Sequence, residues 1–102
     1  TMTVTHTVLF QFKSDVDSSQ VREACLANPF INTPYIVSLV GGKDNSPEGM
    51  QNGLTHGFVV IFNSTEDRDY YVKTDPAHQD FISKVGSLLE KVTVLDFTNG
   101  VY

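Results

Sequence analysis

Residues 75–98, DPAHQDFISKVGSLLEKVTVLDFT, decide the fold, because they pass from a helix start through a helical apolar stripe into a strand-like alternation. Asp75 is a preferred N-cap and Pro76 a preferred first helical residue. Phe81, Ile82, Val85, Leu88 and Leu89 then follow at helical spacing, so this reading runs the helix to about Lys91. Burying those five side chains is worth roughly 1.5–3 kcal/mol each before entropy is subtracted, which makes this the main packing helix. Residues 92–98 close the chain as a strand, with Val92, Val94 and Asp96 on one face and Thr93, Leu95 and Phe97 on the other.

Working outward, three more strands emerge. Residues 2–13 alternate, with His6, Val8, Phe10 and Phe12 on one face and Thr5, Thr7 and Leu9 on the other. Residues 36–40 form a second strand, ended by Gly41-Gly42. Residues 54–62 form a third, with His56, Phe58, Val60 and Phe62 on one face. Asp17 or Ser18 caps a short helix that turns Val21, Ala24, Cys25 and Leu26 inward, and Asn28-Pro29 stops it. Ser64 or Thr65 caps another, with Glu66 and Asp67 in its first turn and Tyr70, Tyr71 and Val72 further along. Residues 43–53, rich in Gly, Pro, Asn and Ser, read as a mobile surface loop. The order strand, helix, strand, strand, helices, strand is that of an α+β ferredoxin-like domain spanning residues 1–102, a four-stranded antiparallel sheet with helices on one face. Leu9, Val59, Ile61, Leu95 and Phe97 are left on the bare face, and that much apolar surface predicts a homodimer paired sheet to sheet.

The bulk composition narrows the function. Twelve acidic against seven scattered basic side chains give a net charge of −5, which excludes a nucleic-acid or anionic-membrane surface. The longest apolar run, residues 58–62, is far below the roughly 18 residues of a membrane helix. No charged and then apolar leader opens the chain, Thr1 reads as an addition ahead of Met2, and Cys25 has no partner for an intrachain disulfide, so the expected location is the cytoplasm. Gly41-Gly42-Lys43 lacks phosphate-loop spacing, which gives no support to nucleotide binding.

The candidate chemistry rests on His78, which falls in the first turn of its helix. There the unpaired N–H groups and the positive dipole end disfavour imidazolium, and a neutral ring is what a general base needs. The bland alternative is a first-turn residue that only packs. His6 and His56 stand on apolar strand faces, where such a residue is either a satisfied core group or a pocket wall. Asp96 shares a face with Val92 and Val94, where it either orients an imidazole or sits at a strand-end rim. A metal site drawn from His6, His56, His78 and Asp96 has no supporting local spacing, and no metal is expected. Tyr70 and Tyr71 point about 100° apart on a helix, so only one of them reaches a pocket well.

Four segments, residues 6–12, 55–60, 75–78 and 94–97, together resemble the stress-responsive A/B barrel (Dabb) family over nearly the whole chain. The resemblance implies a dimeric α+β barrel formed by two sheets. One branch of that family comprises plant polyketide cyclases similar to olivetolic acid cyclase, which close a linear tetraketide thioester by aldol condensation. By that resemblance His78 is the catalytic base and a tyrosine of the preceding helix supports it. Tyr71 is the closer match and Tyr70 the other candidate, since this chain has one more residue between its tyrosine pair and Pro-Ala-His than those cyclases have. The first helix is also shorter than is usual in the family. The expected pocket is mostly apolar and lined by His6, Val8, Phe10, His56, Phe58, Phe81, Val92 and Val94, with Asp96 alongside. It would take a small hydrophobic or polyketide-like ligand and needs no cofactor, because an imidazole in an apolar cleft can deprotonate a carbon acid beside a carbonyl. The rival expectation is a non-catalytic stress-responsive or small-molecule-binding protein, and fold analogy alone adds a cofactor-independent monooxygenase.

Overall fold

The computed structural model describes residues 2–26 and 33–102. Within them the chain forms β1 (Val4–Phe12), α1 (Ser18–Leu26), β2 (Ile36–Lys43), β3 (His56–Phe62), α2 (Thr65–Lys73), α3 (Pro76–Gly86) and β4 (Leu89–Thr98). The strands make one antiparallel sheet in the order β2-β3-β1-β4. This is the ferredoxin-like arrangement expected from the element order. The alternation in β1 fixes its register: His6 lies between Val60 and Asp96, and Val8 between Phe58 and Val94.

Capping chemistry places the helices. Asp17 accepts from the Gln20 backbone N–H at 2.9 Å while the Gln20 side chain accepts from the Asp17 N–H, a reciprocal cap for α1. Ser64 accepts from the Asp67 N–H and starts α2. Asp75 accepts from the Ala77 N–H and starts α3, with Pro76 at its first position. The core is built where α2 meets the sheet: Val60, Phe62 and Tyr71 are buried together, with Tyr35, Leu39 and Phe81 against them.

Several boundaries depart from the sequence reading. α3 ends at Gly86 rather than near Lys91, and Leu89 instead pairs with Phe12 as the first residue of β4. β2 continues through Gly41 and Gly42 to Lys43, because both glycines pair with β3. A Cβ on Gly41 would lie 2.4 Å from the Phe58 ring, so this strand pair is close enough only for glycine. α1 fully buries none of its side chains: Val21, Ala24 and Cys25 are half-buried, and Leu26 is exposed rather than inward. Of the helices α2 packs most closely on the sheet, against β1 and β3, in place of the expected α3, whose Ile82 is exposed. The Asn28-Pro29 stop lies outside the described residues. The 43–53 segment is almost wholly exposed and is tied by Gln51 Nε2 donating to Asp44 Oδ2 at 2.6 Å. The face of the sheet away from α2 and α3 is open, with Leu95 and Phe97 exposed on β4.

Candidate active site

A cleft of about 450 Å³ opens between α2, α3 and the sheet. Its floor carries His6, Val8 and Phe10 of β1, Phe58 and Val60 of β3, and Val92 and Val94 of β4; its roof carries Tyr71, His78, Phe81 and Val85. The floor residues share one face because they alternate along neighbouring strands in register. The roof residues reach it because α2 and α3 are capped at the positions that aim Tyr71 and His78 inward.

Tyr71 is the hub. Its ring meets that of His78 at 4.0 Å with an interplanar angle of 34°, and that of His6 edge-on at 5.8 Å. His6, Tyr71 and His78 are all buried. Burial first, and then the neighbouring His6, holds the His78 imidazole below its ordinary value of 6.5; Asp75 and a hydrogen bond with the Tyr71 backbone pull the other way. The ring is therefore neutral at neutral pH, as a base must be. Burial, followed by the charge of Asp75, pushes the Tyr71 phenol well above its ordinary value of 10, so it stays a hydroxyl donor.

His6 is held from outside the cleft. Its Nδ1 lies 2.7 Å from Asp96 Oδ1 on the adjacent strand, and Arg68 of α2 donates from Nη1 to Asp96 Oδ2 at 2.9 Å. Arg68 is itself fixed by donating from Nε to Asp69 Oδ1 at 2.8 Å. Asp96 thus touches an imidazole without lining the cleft. At the start of α3, Tyr35 donates a hydrogen bond to the buried Asp75, which also caps that helix.

Besides Asp96, two further expected residues lie outside the cleft. Tyr70 is exposed and packs edge-on against Tyr35 at 5.4 Å, so Tyr71 is the tyrosine that reaches the cleft. His56 does not join His6 and His78. As the first residue of β3 it lies across from Phe10 and Lys43, beyond the helical roof, with Thr55 Oγ1 2.8 Å from its Nδ1 and the Phe12 ring edge-on at 5.1 Å. It lines a separate depression with Leu9, Lys43 and Gln51. Sequence reasoning missed Arg68, whose spacing of three from Tyr71 on one helix was the available signal. Among the described residues no group of three or more His, Cys, Asp or Glu is placed to hold a metal ion. No described helix is long and apolar enough to cross a membrane.

Fold and cleft together define a ferredoxin-like α+β domain with a histidine-bearing apolar pocket. The stress responsive A/B barrel domain family matches residues 4–99, and the chain belongs to that family. A hypothetical Arabidopsis thaliana protein is similar over its length, with 31% identity, 97% of each chain covered and a TM-score of 0.83. A hydroxynitrile lyase from Passiflora edulis shares the fold at 23% identity, covering 98% of this chain and 96% of its own, with a TM-score of 0.84. A dimeric ferredoxin-like protein of unknown function from Thermobifida fusca does so at 17% identity, covering 95% and 91%, with a TM-score of 0.80. No curated protein matches the chain.

Proposed function

We propose that the protein is a homodimeric, cofactor-independent carbon–carbon lyase or cyclase acting on a small hydrophobic, polyketide-like substrate. The observation that carries this reading is the Tyr71–His78 contact at 4.0 Å inside a cleft whose walls are mostly aliphatic or aromatic, with His6 in its floor and Glu90 and Lys91 also in its lining. In such a site a neutral His78 takes a proton from a carbon beside a carbonyl. The enolate adds to a second carbonyl of the same molecule, and the alkoxide so formed recovers the proton from the imidazolium. Tyr71, kept protonated, donates a hydrogen bond to the oxygen on which charge develops. The Passiflora edulis neighbour, named a hydroxynitrile lyase, is also a lyase. Pairing through the open sheet face is supported by Leu95 and Phe97, 63% and 45% exposed, and by fold neighbours described as dimeric.

The test is titration with polyketide-like phenolic acids and assay of thioester cyclization, wild type against His78→Ala. The expected result is ligand binding by both and turnover slower by about 10²–10⁴ in the variant. Equal and negligible binding by both overturns the proposal. The apolar lining also favours a second reading, sequestration of a small molecule without turnover; binding by both with no reaction in wild type selects it.

A further inference from the structure

The Arg68–Asp96–His6 chain has a fixed hydrogen-bond polarity. A guanidinium only donates and a carboxylate only accepts, so Asp96 accepts from Arg68 on one oxygen and from His6 Nδ1 on the other. The proton of the His6 ring is thereby held on Nδ1. In the neutral ring the remaining polar atom, Nε2, is then an acceptor. His6 is a wall of the cleft, and the Tyr71 ring set edge-on against it limits its rotation.

We propose that the His6 end of the cleft is a subsite for a hydroxyl donor, a phenol or enol on an otherwise apolar ligand, and that Arg68 is the positioning residue that sets its polarity. This names the ligand class of the cleft and rests on its reading as a small-molecule site, though not on His78 being a base. The role of Arg68 shows in what happens when residue 96 becomes ambiguous. In Asp96→Asn the atom facing Arg68 must still accept, so the amide oxygen turns to the guanidinium and the NH₂ turns to His6. Nδ1 must then accept, the ring proton moves to Nε2, and the cleft presents a donor in place of an acceptor. Adding Arg68→Met frees the amide to turn over, so the Nδ1–H form becomes accessible again.

Nitrogen-15 NMR of the imidazoles in the unliganded protein reads this directly. The expected result is an Nδ1–H tautomer for His6 in wild type, Nε2–H in Asp96→Asn, and the Nδ1–H form regained at least in part in the double variant. Binding of 4-propylphenol and its methyl ether gives the second measurement. Wild type should favour the phenol by about tenfold and Asp96→Asn should lose that preference. An Nε2–H tautomer in wild type, or the same tautomer in all three proteins, overturns the role of Arg68. Equal affinities for the two probes in wild type, or no binding of either, overturn the subsite. The tautomer measurement involves no turnover, so it stands or falls separately from loss of cyclization in His78→Ala.

Discussion

At His78 two opposing influences meet, and burial outweighs the nearby carboxylate of Asp75, so the ring binds a proton less readily in the folded protein than in the unfolded chain. Protonation therefore favours unfolding: the stabilisation is complete above 6.5 and is lost as pH falls below that value. His56, lowered by burial and by Lys43, contributes with the same sign. Urea midpoints should drop between about pH 7 and about pH 5, and should drop less in His78→Leu; an unchanged slope would place the dependence in other groups. Tyr35 presents a separate case, because its hydroxyl serves the buried Asp75. Tyr35→Phe leaves a carboxylate oxygen without that donor and should cost about 1–3 kcal/mol in denaturant titration. The Asp75-Pro76 start was legible because capping is local. The Arg68–Asp96 pair was not, since its members are distant in sequence and nothing about a lone arginine on a helix names its partner. His56 looked equivalent to His6 by alternation, yet alternation reports only the face of a strand and says nothing of how far along it the helical roof extends.

Among the elements, β2 shows how a single contact sets a boundary. Gly41 and Gly42 read as a strand end because glycine weakens strands. They nevertheless remain paired with β3, and at position 41 the Phe58 ring, a wall of the cleft, occupies the space a side chain would need. Gly41→Ala gains roughly 0.5–1 kcal/mol from reduced backbone entropy. Overpacking against Phe58 and the Gly57 carbonyl outweighs it at about 1–3 kcal/mol. The expected variant is less stable by thermal or urea denaturation and takes up apolar ligands more weakly, as Phe58 shifts into the cleft; a stabilised variant would show that the ring yields freely. The α3–β4 junction escaped the sequence for a related reason. Val85, Leu88 and Leu89 continue the helical period across Gly86-Ser87, and only the pairing of Leu89 with Phe12 ends it. Periodicity records which residues are apolar, while the partner strand decides which period is used.

For the whole molecule, the asymmetry of the sheet matters most. α2 and α3 cover the face that holds His6 and Phe62, and the opposite face presents Val40, Leu95 and Phe97 at 60%, 63% and 45% exposure. The face was readable from the alternation of β1, β3 and β4 because a period of two assigns every residue a side once one side is known. Leu95 faces Thr7 across the strand pair, and Phe97 faces Thr5, so the two side chains stand next to each other on one stripe of β4. A charge there would be removed from water on pairing, at a desolvation cost that the apolar stripe does nothing to offset. The proposed homodimer therefore predicts that Phe97→Asp weakens self-association by about 30-fold or more, the scale of losing a central aromatic anchor, while each monomer stays folded. Sedimentation equilibrium over a concentration series, with far-ultraviolet circular dichroism as the folding control, makes the measurement. A wild type that sediments as a monomer throughout would remove the sheet-to-sheet pairing, and equal association by wild type and Phe97→Asp would move the interface to another surface.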